Sequence, residues 1–396
     1  MKILIAEDDR VSRRVLETRL EKWGHQVVIT KDGAEAWNVF KDEEFSMVIT
    51  DWMMPELDGV ELLKRIRSSH TSSYVYIMML TAKQQKNDLL EAMEAGADDF
   101  LTKPFDKDEL RVRLRAGERI IELEKNIARR NRELKTVNER MKQDLEAASS
   151  IQRSLLPAKT PDIPGFNFAW KFKPCDELAG DSLNIFALED QHVGLYVLDV
   201  SGHGISAALL SVTLSRLLSP TTDQSTLVKQ QLKDSAGFSL VSPAQVAEQL
   251  NRQFKLDTRT GQFFTILYSI LNIKTGELRY VSAGHPSIAL LSRNTDPSLL
   301  ENPGFPIGFI ETAEYDENLI RLKPGDRLYM YSDGITEAKN IRKELFSEKR
   351  LIEVLHKNFF LPLDESLSAL LMSLEKWNGT GEYEDDITIL AIEMEG

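Results

Sequence analysis

The feature that most constrains this chain is a repeated change of period over residues 1 to about 115. Short apolar runs (KILIAE, HQVVIT, FSMVITD, VYIMMLTA, DDFLTK) alternate with segments of helical spacing (VSRRVLETRLEKWG, GAEAWNVFKD, GVELLKRIRSS, KNDLLEAMEAG, KDELRVRLRAG). Five such alternations predict a parallel sheet with helices on both faces. Open sheets built this way carry their sites at the carboxyl ends of the strands. Glu7 and Asp8 close the first run and Asp51 the third, while Thr81 and Lys103 lie at the ends of the fourth and fifth. All five side chains are therefore expected at one edge.

The period changes again between residues 116 and 156. No glycine follows Gly117, no proline occurs before Pro157, and Glu, Lys, Arg and Asn dominate, which predicts a helix. Stepping by seven from Ile120 gives Ile127, Leu134, Met141, Ala148 and Leu155, a row of six apolar d positions. The a positions Glu124, Asn131, Asn138, Leu145 and Gln152 are mostly polar. That pattern is a coiled-coil seam of modest strength, in which asparagines fix register and a two-stranded state. A parallel homodimer through this helix is expected; a single amphipathic helix packed on its own domain is the other reading.

Beyond Pro157 the sequence is rich in turns and strands: NFAWKFKP, HVGLYVLDV, FTILYSILNI, ELRYVSAG, SIALLSR, ENLIRLKPG, DRLYMYSD and DITILAIEM. Helical stretches interrupt it near 204–218, 243–255, 347–357 and 364–376. This grouping predicts an α+β layered β-sandwich. Residues 219–242, rich in Ser, Thr, Gln and Pro, read as an exposed loop or flap. The expected organisation is an α/β doubly wound domain over 1–118, a helical coiled-coil linker over 119–156 and the α+β domain over 157–396.

Bulk properties exclude several classes of function. A net charge of −13 over 396 residues argues against non-specific binding to nucleic acid or an anionic membrane. No basic DNA-binding segment follows the first domain. Cys175 is the single cysteine, so no disulfide pair and no cysteine-rich zinc site can form within the chain. No apolar run approaches ~18 residues, and the apolar start before Glu7 is too short for a signal peptide. A cytoplasmic location is expected.

A carboxylate can take a phosphoryl group only if its charge and the donor's are neutralised. That calls for a divalent cation held by other carboxylates, and for a further cation on the far side. Glu7, Asp8, Asp51, Thr81 and Lys103 offer these parts. Through the motifs AEDD, VITDWMMPELDG, LTA and LTKPF, residues 1–120 resemble the response-regulator receiver family, with its flavodoxin-like fold. The resemblance implies that Asp51 is the phosphoacceptor and that Glu7, Asp8, Asp51 and the Met53 carbonyl hold Mg²⁺. It further implies that Thr81 and Phe100 are switch residues and that Lys103 contacts the phosphoryl group. Glu7 stands where many members carry Asp, which keeps the charge and lengthens the arm.

The second domain offers aspartates in turn-like settings: Asp181 in LAGDS, Asp199 in VLDVSGHG, Asp333 in YSDGITEA, and Asp385 and Asp386 in EYEDDITIL. Hard cations such as Mg²⁺ and Mn²⁺ take oxygen ligands, and two of them assist hydrolysis of a phosphate ester. His203 and His285, both in turns, read as hydrogen-bonding structural residues. The ordered motifs AGD, DVSGHGISAALL, SAGHPSIALL, PIGF, SDGITEA and DDIT resemble the PPM (protein phosphatase 2C-like) family, in its bacterial sigma-regulator (SpoIIE/RsbU-like) branch, over residues 150–396. By that resemblance Asp181 and Asp199 bridge two Mn²⁺ or Mg²⁺, the Val200 carbonyl is a further ligand, and Asp333 and Asp385 complete the second site. Asp386 is the alternative to Asp385. The branch has two glycines before the first Asp, followed by aromatic and acidic residues; this chain has AGDSLNIF. The IQRSLLP segment corresponds to a regulatory element beside the active site.

Together these resemblances imply a two-component response regulator whose output is metal-dependent protein serine/threonine phosphatase activity. A sensor histidine kinase or phosphotransfer protein would act on Asp51, and an anti-sigma-factor antagonist would be the phosphorylated substrate. The competing expectation is a catalytically weak adaptor that binds and presents a partner protein.

Overall fold

The computed structural model describes the chain except residues 70, 72, 83–89, 91, 189–190, 221–226, 232–237, 256–260, 294, 302, 380 and 382. The chain divides into two compact units, Met1–Arg140 and Met141–Gly396.

In the first unit, β1 (Lys2–Ala6), β2 (Gln26–Thr30), β3 (Met47–Asp51), β4 (Tyr76–Thr81) and β5 (Asp99–Thr102) form one parallel sheet in the order β2-β1-β3-β4-β5. Alternate residues of each strand go to opposite faces. Leu4, Val48 and Ile77 pack with Phe40, Leu62 and Ile66 on one face. Ile3, Ile5, Ile49 and Met78 pack with Leu16, Leu20, Leu110 and Leu114 on the other. Covering both faces is what makes the strands read as unbroken apolar runs. Helices α1 (Arg10–Lys22), α2 (Gly33–Asp42) and α3 (Gly59–Ser68) start at Asp9, Asp32 and Asp58, whose carboxylates accept from the N–H of Ser12, Glu35 and Glu61. Such caps satisfy amides that have no partner inside the helix. The expected helix KNDLLEAMEAG falls largely on 83–89 and 91, outside the described residues.

The segments KDELRVRLRAG and 116–153 form a single helix, α4 (Lys107–Arg153, 47 residues). Its first turns bury Leu110, Leu114 and Ile121. Further along, Ile127, Leu134 and Met141 of the heptad row are each more than half exposed within the chain. The helix stops before Leu155, the last member of that row.

The second unit contains two five-stranded antiparallel sheets. One has the order β15 (Asn318–Arg321), β12 (Glu277–Ala283), β11 (Phe264–Asn272), β8 (His192–Val200), β7 (Ser182–Ala187). The other runs β14 (Thr295–Leu300), β13 (Ile288–Ser292), β16 (Arg327–Tyr331), β17 (Ile387–Met394), β6 (Phe166–Lys173). The facing sides of the sheets meet through Leu183, Leu195, Leu267, Leu328, Leu390 and Ile392. Helices α5 (Ile205–Leu217) and α6 (Pro243–Gln253) cover the outside of the first sheet through Leu214, Val246 and Leu250. Helices α8 (Ser347–Lys357) and α9 (Leu363–Asn378) cover the second through Leu351, Leu367 and Leu374. A short helix, α7 (Asp333–Thr336), follows β16.

Segment 219–242 is not simply an exposed loop. Within it β9 (Lys229–Gln231) pairs with β10 (Phe238–Leu240), and Leu227 and Val228 are buried against α5 and α6. Burial of these two apolar residues outweighs the turn-forming composition around them. Among the described residues no helix is long and apolar enough to cross a membrane.

Candidate functional site

Each unit brings acidic side chains together. In the first, Glu7, Asp8 and Asp51 offer oxygens within 4.8 Å of one another. Glu7 is fully buried and Asp8 exposed. Lys103, one residue beyond β5, donates from Nζ to Glu7 Oε2 at 2.6 Å and to Asp51 Oδ2 at 2.8 Å. The other Asp51 oxygen accepts from the Trp52 N–H at 2.7 Å. Burial raises the Glu7 carboxyl to about 6 against the opposing pull of Lys103. Hydrogen bonds to Asp51 and Glu7 outweigh burial at Lys103 and raise its ammonium, so the cation is held in place. Thr81 is buried at the end of β4, Met53 is exposed, and the Arg113 guanidinium lies 5.5 Å from the centre of the half-buried Phe100 ring.

In the second unit Asp181 leads into β7, Asp199 ends β8, Asp333 opens α7 after β16, and Asp385 and Asp386 lead into β17. Strands β7 and β8 belong to one sheet, β16 and β17 to the other, so both sheets deliver acids to the same end of the sandwich. One hydrogen bond between the sheets and one within the second fix the meeting point. The Thr388 hydroxyl donates to Asp181 Oδ2 at 2.5 Å, and Ser332 Oγ accepts from the Thr388 N–H at 3.1 Å. Two glycines permit the close approach. A Cβ at Gly334 would lie 2.0 Å from the Asp386 carbonyl oxygen, and one at Gly180 would lie 2.8 Å from the Val200 carbonyl oxygen.

The adjacent acids take different tasks. Asp386 is almost fully buried. Its carboxylate accepts three backbone N–H groups, from Cys175 at 2.8 Å, Gly180 at 2.7 Å and Asp181 at 3.2 Å. It therefore holds the turn that aims Asp181. Asp385 is exposed and lies close enough to Asp199 and Asp333 to raise both of their carboxyls.

The electrostatics of this cluster are unfavourable as the chain stands. Asp199 is pushed up to about 7, first by burial and then by Asp333 and Asp385. Asp333 is pushed up to about 6 by burial, Asp385 and Glu337. Burial, Asp199 and Asp386 raise Asp181 well above the carboxylate range. Asp385, though its side chain reaches solvent, is raised as well by partial desolvation and by Asp386 and Glu337. Two like charges ~4 Å apart repel by roughly 4 kcal/mol at the effective dielectric of a protein surface. Among the described residues, no lysine or arginine forms an ion pair with any of the four, and a buried Asp333 Oδ1 has no hydrogen-bond partner. An all-oxygen set with uncompensated negative charge and an orphaned ligand atom fits hard divalent cations.

Several participants were not singled out from the sequence: Thr388, Ser332, Glu337 and the backbone of Cys175. A further one is Gln152, in the last turn of α4. Its amide donates to the Ala179 carbonyl at 2.7 Å and accepts from the Ala179 N–H at 3.1 Å, two residues before Asp181. The signal was present, since Gln152 is a polar residue at an a position, yet it is almost fully buried. His285 is buried, with Nδ1 2.8 Å from Thr265 Oγ1, and burial pushes its imidazole down to about 3.

Comparison with known proteins bears on both units. The family described as Stage II sporulation protein E (SpoIIE) matches residues 189–395, and the response regulator receiver domain matches residues 3–115. The chain is 27% identical over 266 residues to Protein IcfG of Synechocystis sp., an overlap of 63% of this chain and 41% of IcfG. The chain therefore spans less than half of that relative's length. Its N-terminal part is 34% identical over 116 residues to a chemotaxis protein CheY homolog of Campylobacter jejuni, covering 29% of this chain and 89% of the relative. Among solved structures, the SiaA-PP2C domain of Pseudomonas aeruginosa aligns with a TM-score of 0.52 at 21% identity, covering 65% of this chain and 98% of that one. At that identity the likeness is one of fold.

Proposed function

We propose that this chain, which belongs to the stage II sporulation protein E (SpoIIE) family and carries a response-regulator receiver domain, is a metal-dependent protein serine/threonine phosphatase governed by phosphorylation of Asp51. The observation that carries the reading is the convergence of Asp181, Asp199, Asp333 and Asp385 without a lysine or arginine partner among the described residues. These four, with the Val200 carbonyl, would hold two Mn²⁺ or Mg²⁺. Such ions supply Lewis acidity and charge neutralisation for hydrolysis of a phosphate monoester. The chain's own residues prepare the site. Thr388 fixes one oxygen of Asp181, Asp386 fixes the turn before it, and Gly334 lets the turn at Asp333 pack against the Asp386 backbone.

In the receiver, Glu7, Asp8, Asp51 and the Met53 carbonyl would hold Mg²⁺, and Lys103 would follow the charge of Asp51 onto its phosphoryl group. Thr81 and Phe100 would then report the modification. The phosphodonor is a sensor histidine kinase or a phosphotransfer protein. The exposed row Ile127, Leu134 and Met141 supports a parallel homodimer through α4. The same helix carries Gln152, which supports a route from the receiver to the loop of Asp181. The substrate we assign is a phosphoserine or phosphothreonine protein, an anti-sigma-factor antagonist in a partner-switching pathway, and the sign we assign to phosphorylation is activation.

The deciding assay is hydrolysis of a phosphoserine protein by the full chain with Mn²⁺, with and without acetyl phosphate. Turnover that rises with acetyl phosphate is expected. Equal rates would remove receiver control, and no turnover at all would favour the adaptor.

A further inference from the structure

Resting on the reading that Glu7, Asp8 and Asp51 hold Mg²⁺, we propose that Arg13 is the positioning residue of that site, setting the aim of the Glu7 and Asp8 carboxylates by gripping the main chain beneath them. Nη1 of Arg13 donates to the Glu7 carbonyl at 2.6 Å and to the Asp8 carbonyl at 3.1 Å. Both acceptors are peptide oxygens of the acidic turn. Among the described residues, Arg13 forms no ion pair with a carboxylate.

The turn needs such a hold. Strand β1 keeps its ladder to both neighbours only as far as Ala6, and successive residues of a strand point to opposite faces. Glu7 is fully buried and Asp8 exposed, yet each brings an oxygen within 4.8 Å of the other and of Asp51. Carboxylates gathered this closely repel one another. Lys103 answers Glu7 and Asp51 but forms no ion pair with Asp8 among the described residues.

The main chain is fixed on either side of the pair. Before it, the Glu7 N–H donates to the Thr30 carbonyl at 3.3 Å; after it, the Asp9 carboxylate accepts from the Ser12 N–H at 2.7 Å. The two carbonyls in between go to Arg13, whose own N–H donates to the Asp9 carbonyl at 3.0 Å. The clamp therefore hangs from the helix that the turn leads into. Glu7 makes this hold matter more, because its arm is one methylene longer than that of Asp. Its oxygens are met by Lys103 and, at 3.3 Å, by the Asp9 N–H. A long arm keeps its aim only where the backbone beneath it is fixed.

Hydrogen bonding and charge predict opposite signs for the loss of Arg13. A guanidinium near a cation site repels the ion, so a residue acting through its charge alone would tighten Mg²⁺ binding when removed. A residue acting through the turn would weaken it, by roughly tenfold or more as is common for groups that orient metal ligands.

The test is a Mg²⁺ titration of the full chain followed by tryptophan fluorescence. Trp52, next to Asp51 and bonded to it through its N–H, is the reporter, isolated by subtracting the titration of a Trp52→Phe chain. Arg13→Met removes the donors and the charge and should raise the half-saturating Mg²⁺ by roughly tenfold. The Mg²⁺ that half-saturates uptake of phosphate from acetyl phosphate, read by intact mass, should rise with it. One nitrogen makes both bonds, so Arg13→Lys, which keeps a charged donor, should fall between wild type and Arg13→Met. Unchanged or tighter binding in Arg13→Met overturns the proposal, as does an equal loss in both variants. A wild type whose Trp52 does not respond to Mg²⁺ overturns the Mg²⁺ reading of the receiver instead.

Discussion

The two acidic clusters of this chain differ in where their positive charge comes from. In the receiver a lysine is built in, since Lys103 lies between Glu7 and Asp51. In the second unit four carboxylates converge without a lysine or arginine partner among the described residues, and the backbone N–H groups that are available go to Asp386. The first cluster sets one built-in ammonium against its three carboxylates; the second has no such cation among the described residues. On the proposed reading, the receiver would lean on its own lysine until a phosphoryl group arrives, whereas the other site would tie its integrity to cations.

The largest effect that tests this contrast is Asp199→Asn. It should lower phosphatase turnover by about a thousandfold, while the full chain still takes up phosphate on Asp51 from acetyl phosphate, as read by intact mass. Loss of both activities together would erase the distinction. Metal removal comes next. A carboxyl raised in the folded state binds a proton that the unfolded chain has already released, so stability falls as pH rises from the unfolded value towards the folded one. With Asp199 raised to about 7 and Asp333 to about 6, the second unit of the EDTA-treated chain should lose stability between pH 4 and 7. Calorimetry should show its transition dropping on the order of 10 °C, with Mn²⁺ restoring more of the loss at pH 7 than at pH 5. A flat profile would mean that the cluster is not strained.

Smaller still should be Lys103→Ala, which leaves Glu7 and Asp51 facing each other. The partners are not fully sealed from water, so a loss of about 2 kcal/mol confined to the receiver transition is expected. Gln152→Ala should be the mildest, costing about 1 kcal/mol because the Ala179 N–H and carbonyl lose their partners. Its more telling readout is kinetic: acetyl phosphate should then change the turnover less than in the wild type. An undiminished response would show that control reaches Asp181 by another route.

Most of the architecture was legible because both units bury strands on two faces, which writes apolar runs such as ILIA and ITILAI into the sequence. What was missed lies where that signal fails. Strand β7 (SLNIFA) has only partial apolar character and follows a site motif directly. Strand β14 (TDPSLL) contains Pro297, which demotes a run, and the structure resolves the conflict by putting it at the sheet edge. The acids Asp385 and Asp386 were inseparable by motif. They part in three dimensions because successive side chains approaching a strand point to opposite sides, one buried under backbone amides and one towards the cluster. Glu337 and Thr388 stand inside the motifs SDGITEA and DDIT, but their sequence does not tell what either side chain faces across the fold.

The grip of Gln152 on Ala179 has a consequence for how such chains can diversify. Both of its hydrogen bonds go to main-chain atoms, so the grip needs no polar side chain at position 179. A connection written in peptide groups is a generic plug. Any sensory module able to twist or steady a helix ending in a suitably placed glutamine could drive the same catalytic half, with no matching substitutions needed at the socket.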